Sequence, residues 1–185
     1  RLGAILGAEV LGVLEQIQTE DRLRLKSAVE EVHLPLREPP TLEEAMKMVE
    51  ESKQTLEELR KRGASQPEVR VAETTLQGAM GALKPVRGPR RKEVISEIQV
   101  VRINDVALVG VPGELFVEIG LDIKKKSGLE YAYVVGLAND YIGYIVTHQA
   151  YEEGLYEPLI TKLSPSGEKV ISDTALKLLA ETSSK

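Results

Sequence analysis

The chain has 185 residues, of which 42% are hydrophobic and 29% are charged, and its formal net charge is −5. This length suits one domain that buries a core. Charges of both signs are interspersed, whereas a general nucleic-acid binder normally carries basic stripes. The chain has no cysteine, which excludes disulfides and thiolate metal sites. No apolar run reaches membrane-spanning length, and the sequence carries no indication of the cellular compartment.

The chain begins at Arg1 and enters a helical pattern at once. Apolar residues recur at helical spacing, which predicts a helix over residues 2–18 that packs one apolar stripe on a core. No N-cap residue precedes this helix. We therefore expect the sequence to be a piece of a longer chain.

The next elements are a strand and a pair of helices. Residues 23–36 alternate in polarity and carry β-branched side chains, which predicts a strand. Thr41 and Glu44 form a capping box, in which each side chain satisfies a free backbone donor at a helix start. Helices are predicted over residues 41–62 and 65–83, and we expect them to form a hairpin.

Strands and helices alternate in the second half. Asn104 and Asp105 predict a tight turn between two strands, because both residues tolerate positive φ. The run VALVGV is apolar throughout, which predicts a central strand buried on both faces. We expect an α/β (mixed α+β) fold, a layered mixed sheet flanked by helices. The predicted elements are strands 93–103, 106–111 and 131–137 and helices 115–126 and 166 onward. The apolar stripe of the last helix is predicted to consist of Val170, Ile171, Ala175, Leu178 and Leu179.

The segment Lys84–Lys92 carries five positive charges in nine residues, interrupted by two prolines and a glycine. One interpretation is a solvated loop. The other is a contact for a phosphate group or an anionic surface.

The common catalytic motifs are missing from the sequence. Its two histidines, His33 and His148, belong to no HExxH pair, and there is no GxSxG elbow or phosphate-binding glycine loop. We expect no self-contained metal site or catalytic triad within these residues.

Glu114 follows the apolar strand, at the predicted start of a helix. It could be an N-terminal acid stabilised by the helix dipole. It could also be a functional carboxylate, because α/β folds place their ligand sites at the carboxyl ends of strands.

All six tyrosines lie between Tyr131 and Tyr156. Tyr141, Tyr144, Tyr151 and Tyr156 share no clean period, and they lie among glycine, asparagine and aspartate in a segment that should be irregular. Such a segment is either a site built on a loop or an aromatic cluster packed beneath one.

Two segments carry a family resemblance. GLANDYIGYIVTHQAYEEGLYE resembles the Asn-x-Tyr-x-x-Tyr signature of the neutral/alkaline non-lysosomal ceramidases, and VALVGVPGELFVEIG resembles the Pro-Gly-Glu segment that precedes it there. The opening helix, VHLPLR and PTLEEA are also similar to that family's catalytic domain. The resemblance implies that residues 1–185 are a single unit, the C-terminal half of a larger catalytic domain whose N-terminal half is absent.

The resemblance also implies a zinc amidohydrolase that cleaves the N-acyl bond of ceramide or a related N-acyl lipid. Two histidines of the absent N-terminal half would hold the zinc together with Glu114 and Tyr144. Tyr156 would be catalytic, near the reacting carbonyl, and Tyr141 and His148 would contact substrate. The implied partners are the N-terminal half and the lipid amide, with no nucleic acid and no transmembrane segment.

The isolated chain is then expected to bind zinc weakly, to be inactive, and to form a homodimer through an apolar face left uncovered. Two alternatives remain open. One is a non-catalytic scaffold or interaction domain that keeps the fold without the zinc chemistry. The other is a module that binds lipid surfaces through Lys84–Lys92.

Overall fold

A computed structural model describes residues 1–19, 21–86 and 91–183, without the side chains of residues 84–86. None of the helices in these ranges combines the length and the apolar character needed to cross a membrane. The helices are α1 (Leu2–Leu14), α2 (Leu42–Lys61), α3 (Gln66–Val86), α4 (Val117–Ser127), α5 (His148–Glu153), α6 (Tyr156–Ile160) and α7 (Gly167–Ser183). The strands are β1 (Leu25–Pro35), β2 (Glu93–Ile103), β3 (Val106–Gly110), β4 (Glu114–Leu115), β5 (Tyr131–Val135) and β6 (Tyr144–Ile145).

Four strands form the main sheet, in the order β1-β2-β3-β5. β1, β2 and β3 are antiparallel neighbours, whereas β5 lies parallel to β3 after the crossover through α4. The predicted turn lies between β2 and β3, where Asn104 has a φ of 51°. Its side-chain oxygen accepts a hydrogen bond from the backbone N–H of Arg24 at 2.8 Å. The predicted mixed α/β fold is confirmed.

One face of the sheet carries the core. α7 packs across β1, β2 and β3, and α4 packs on β5 and α7. The predicted apolar stripe of α7 is confirmed, since Ile171, Ala175, Leu178 and Leu179 are buried. Each large side chain buried in this way contributes roughly 1.5–3 kcal/mol. The sheet partners of the stripe are Val32, Leu34, Ile98, Val100, Ala107 and Val109.

The helical hairpin of α2 and α3 forms as predicted and joins the rest of the fold through α6. The capping box is confirmed: the Thr41 side chain accepts from the N–H of Glu44, whose carboxylate accepts from the N–H of Thr41. Two glycines of α3 allow the close contact with α6. A Cβ on Gly78 would lie 2.9 Å from the Leu159 side chain, and one on Gly81 would lie equally close to Ile160.

The described residues leave the opposite face of the sheet uncovered, so the prediction that VALVGV is buried on both faces is wrong. Ala107 and Val109 point into the core, whereas Val106 and Leu108 point away from it and are only half-buried. The run is apolar because one side meets α7 and the other joins an apolar surface. We call this surface the outer sheet face; its apolar members are Leu25, Val29, Ile95, Val101, Ile103, Val106, Leu108, Tyr131, Tyr133 and Val135.

The first helix forms, but the prediction that it packs one apolar stripe on a core is wrong. α1 ends at Leu14, and none of its residues is buried. Its apolar residues surround most of the helix axis, and the described part of the chain provides no surface that buries them.

The predicted basic segment Lys84–Lys92 falls largely outside the described residues; Arg91 and Lys92, which are described, are exposed.

We expect the chain to self-associate through the outer sheet face, because monomeric proteins rarely leave apolar patches of this extent in water. Light scattering should give a mass above the 20.3 kDa of one chain. Val29→Lys combined with Tyr133→Lys should shift the mass towards the monomer by placing charges in the face. Val117→Lys is the matched control, because Val117 is an exposed apolar residue on α4. A monomeric mass at every protein concentration would contradict this expectation.

A second prediction concerns His33, which lies on the same face. Its ring lies 3.2 Å from the Glu93 carboxylate and 3.4 Å from that of Glu31. The hydrogen bond to Glu93 and the charge of Glu93, with smaller contributions from Glu31, raise the pKa of His33 above 6.5. We expect Glu93→Gln to lower this pKa more than Glu31→Gln does, as measured by NMR titration of the ring.

The difference between the folded-state and unfolded-state pKa of His33 makes the stability of the folded chain depend on pH. Because the folded-state pKa is raised, the His33 contribution is fully present below about pH 6.5. It is lost as the pH rises through the folded-state pKa. A His33 pKa that responds equally to both glutamine variants would be inconsistent with the assigned cause.

Candidate active site

A second, two-stranded sheet brings Glu114 and Tyr144 together. β4 and β6 are parallel, and Glu114 is paired directly with Tyr144. The sequence placed Glu114 at the start of a helix, but α4 begins at Val117. The explanation of Glu114 as a helix N-terminal acid is therefore wrong, because its backbone belongs to the β4–β6 ladder.

The pairing depends on a close approach of two backbones at the Pro-Gly-Glu segment. The N–H of Glu114 donates to the carbonyl of Gly143 at 3.0 Å, and the N–H of Ile142 donates to that of Pro112 at 2.8 Å. A Cβ on Gly113 would lie 2.5 Å from the Gly143 carbonyl oxygen, nearer than any side chain tolerates. Gly143 itself has a φ of 92°, in the region that favours glycine.

Asp140 fixes the loop that leads into β6. One of its carboxylate oxygens accepts from the Ser96 hydroxyl of β2 at 2.8 Å, and the other accepts from the N–H of Tyr141 at 2.7 Å. The preceding Asn139 has a positive φ, and its side chain donates to Gln99. These bonds tie the Asn-Asp-Tyr segment to the main sheet and set the position of the Tyr141 ring.

Glu114 interacts with two phenols. The Tyr141 hydroxyl donates to Glu114 Oε1 at 2.9 Å, and this bond raises the pKa of Tyr141. Burial, followed by hydrogen bonding to Glu114 and its negative charge, raises the pKa of Tyr144 to about 12. Both phenols therefore keep their protons at neutral pH, and the Tyr141 hydroxyl donates its hydrogen bond to the carboxylate.

Tyr156 completes the group as the first residue of α6. Its ring meets that of Tyr144 edge to face, with centroids 6.3 Å apart and an interplanar angle of 75°. This T-shaped arrangement is a preferred one for aromatic pairs. Glu114, Tyr141, Tyr144 and Tyr156 thus form one cluster of oxygen-bearing side chains, which we call the tyrosine cluster.

The other tyrosines and His148 have different surroundings. Tyr131 and Tyr133 lie on the outer sheet face, and the half-buried Tyr151 donates from its hydroxyl to the Leu163 carbonyl at 2.6 Å. His148 is the first residue of α5, with its N–H bonded to Glu168 and its side chain exposed. Within the described residues, no hydrogen bond or ring contact joins the His148 side chain to the tyrosine cluster.

The oxygen donors of the tyrosine cluster determine which kind of metal site it can form. No three histidine, cysteine, aspartate or glutamate side chains of the described residues come together as candidate ligands. Glu114 and Tyr144 nevertheless offer two oxygen donors from one ladder position, and a carboxylate oxygen is a normal zinc ligand. Protein zinc sites use three or four protein ligands. The pair therefore fits a part of a zinc site and does not complete one.

Sequence reasoning identified the tyrosine cluster but missed the residues that hold it. Thr161 donates from its hydroxyl to the Tyr144 carbonyl, and Arg37 donates to the carbonyls of Pro158 and Leu159 in α6. Arg37 is 121 positions from Pro158, so no local pattern reveals the contact. The two glycines of α3 that face α6 were the available sequence signal for this packing, since glycines inside a helix often mark close packing.

Comparisons with known proteins agree with the resemblance seen in the sequence. No protein-family model matches the chain. The neutral ceramidase of Mycobacterium tuberculosis (strain ATCC 25618 / H37Rv) is 35% identical over 91 residues, which is 44% of this chain. The match spans 14% of the length of that relative.

Two solved structures are also similar. The crystal structure of neutral ceramidase from Pseudomonas aeruginosa matches 86% of this chain and 28% of its own, with a TM-score of 0.55 and 18% identity. A ceramidase complexed with C2 matches 48% of this chain and 15% of its own, with a TM-score of 0.45 and 24% identity. The first of these likenesses shows a shared fold. Together with the sequence match, it shows that this chain is related to the neutral ceramidases.

Proposed function

We propose that this chain forms part of the active site of a zinc-dependent amidohydrolase that cleaves the N-acyl amide bond of ceramide or a related N-acyl lipid. The observation that carries the proposal is the pairing of Glu114 with Tyr144 across β4 and β6, with the Tyr156 ring against Tyr144. The relationship to the neutral ceramidases supports the reaction class. The chain spans 14% of its curated relative, so the activity is proposed for the full-length protein.

Glu114 and Tyr144 are the proposed zinc ligands of this chain. We propose that an N-terminal half of the same protein supplies the remaining ligands as histidines. When bound, zinc polarises the amide carbonyl and lowers the pKa of its water to about 7. The Tyr141 hydroxyl, bonded to Glu114, would fix the orientation of that carboxylate, as outer partners of metal ligands commonly do.

Tyr156 is the proposed catalytic donor. Its hydroxyl would donate a hydrogen bond to the amide oxygen as negative charge develops there. A preorganised donor of this kind typically contributes about 10²–10³ in kcat. Tyr141, which is 65% exposed, and the exposed His148 are proposed to contact substrate at the mouth of the site.

The second candidate is a non-catalytic interaction domain. The outer sheet face favours it, because that surface offers a partner a broad apolar contact. Zinc binding discriminates between the two candidates, since only the hydrolase needs the Glu114–Tyr144 pair to hold a metal. The lipid-surface alternative depends on Lys84–Lys92, which lies largely outside the described residues.

The first test of the proposed site is substitution of the two ligands in the full-length protein. Glu114→Ala and Tyr144→Phe should each reduce bound zinc and abolish hydrolysis of N-acyl-sphingosine. Each variant removes one oxygen donor from a site that needs at least three protein ligands. Zinc is measured by elemental analysis of the purified protein, and hydrolysis by release of the fatty acid.

Matched controls are available in the same part of the chain. Tyr133→Phe removes a phenol on the outer sheet face, and Glu118→Ala removes a carboxylate of α4; both should leave zinc and turnover unchanged. Zinc binding without turnover of ceramide would support the proposed metal site and contradict ceramide as the substrate. A folded protein without zinc would refute the hydrolase and favour the interaction domain.

Tyr156→Phe separates catalysis from metal binding. We expect bound zinc to be retained, because Tyr156 is not a proposed ligand. We expect kcat to fall roughly 10²–10³-fold with a smaller change in KM, since the lost hydrogen bond strengthens only as charge develops. Unchanged kcat with zinc bound would contradict the donor role.

A further inference from the structure

Thr161 connects the two tyrosine-bearing elements. It is 2% exposed, and its hydroxyl donates to the Tyr144 carbonyl at 2.7 Å and accepts from the N–H of Leu163 at 3.3 Å. Thr161 is also the C-cap of α6, where its N–H donates to the Glu157 carbonyl at 2.9 Å. One residue therefore ends the helix that begins with Tyr156 and bonds the strand that carries Tyr144.

Arg37 holds the same helix from the other side. Its guanidinium Nη1 donates to the Pro158 carbonyl at 2.8 Å, and Nη2 donates to the Leu159 carbonyl. Its backbone N–H donates to the Lys162 carbonyl at 3.0 Å. The last carbonyls of a helix lack partners within it, and the planar fork of arginine satisfies two of them at once. The positive charge is also favourable at a helix C-terminus.

These contacts matter because α6 has only five residues. A helix of that length is not stable by itself, so its orientation is set by what it touches. Gly78 and Gly81 of α3 support one side of α6, and Arg37 and Thr161 fix its C-terminal end. The position of the Tyr156 ring relative to Tyr144 therefore depends on residues that bear none of the cluster's reactive groups.

We propose that Thr161 and Arg37 are positioning residues of the tyrosine cluster, which hold the Tyr156 ring at its edge-to-face contact with Tyr144. The catalytic consequence rests on the proposed function, whereas the ring geometry is a property of the chain. An error of about 1 Å in placing a reacting group costs on the order of 10²-fold in rate. Loosening α6 should therefore lower kcat without removing any reacting group.

The test compares three threonine variants. Thr161→Val removes the hydroxyl and keeps the shape, whereas Thr161→Ser keeps the hydroxyl. Thr182→Val is the matched control, because Thr182 is 4% exposed and its hydroxyl donates to the Leu178 and Leu179 carbonyls within α7. The control thus loses a buried hydroxyl at a position with no contact to the tyrosine cluster among the described residues.

The first readout is the NOE between the Tyr144 and Tyr156 rings in the chain, with folding checked by circular dichroism. Thr161→Val should lose this NOE, while Thr161→Ser and Thr182→Val retain it. Arg37→Lys is the second variant, since lysine keeps the charge but cannot bond two carbonyls as a fork; it should also weaken the NOE. A ring NOE that persists in folded Thr161→Val and Arg37→Lys would overturn the proposal.

The second readout is kinetic, in the full-length protein. Thr161→Val should lower kcat roughly 10- to 100-fold with little change in KM, and Thr161→Ser should restore it. A merely structural role would affect Thr161→Val and Thr182→Val alike, and that result would overturn the positioning role. Absence of turnover in the unsubstituted protein would refute the proposed amide hydrolysis, and the ring NOE alone would then decide the positioning role.

Discussion

The tyrosine cluster depends on one backbone contact, the approach of Gly113 to the Gly143 carbonyl. Only a residue without a Cβ permits this approach, and it allows the short β4–β6 ladder to form. The ladder places Glu114 beside Tyr144 in register, and parallel pairing points both side chains to the same face. Two strands of two residues would not be stable alone. Their stability comes from Ile145, which is buried in the main core, and from the loop bonds of Asp140 to β2.

Much of the architecture could be predicted from local patterns. The capping box at Thr41, the turn at Asn104 and the apolar stripe of α7 each depend on residues close together in sequence, and each is present in the structure. The same patterns predicted α1 and β3 as elements but were wrong about their burial. Apolar residues predict burial only when the fold provides a covering surface. The described part of the chain provides one for a single face of the sheet and none for α1.

The members of the tyrosine cluster could be singled out from the sequence, whereas the residues that hold them in place could not. The composition shows the crowding of tyrosines, and the family resemblance singled out Glu114, Tyr144 and Tyr156. The structure places these three residues together, and their roles stay predictions. The support is non-local. Ser96 of β2 bonds Asp140 in the loop before β6, and Arg37, which follows the end of β1, bonds α6. Such contacts have no periodicity in sequence, because they arise only when the layers pack.

The electrostatics of the cluster disfavour a free phenolate at Tyr144. Without a cation, the negative charge of Glu114 and partial burial both favour the protonated form of Tyr144. In the proposed complete zinc site, a divalent ion would offset the first effect, because it would be the largest local charge there. Loss of the Tyr144 proton would then be linked to metal binding, and the Tyr141 hydroxyl, which donates to Glu114, would remain as the partner of that carboxylate.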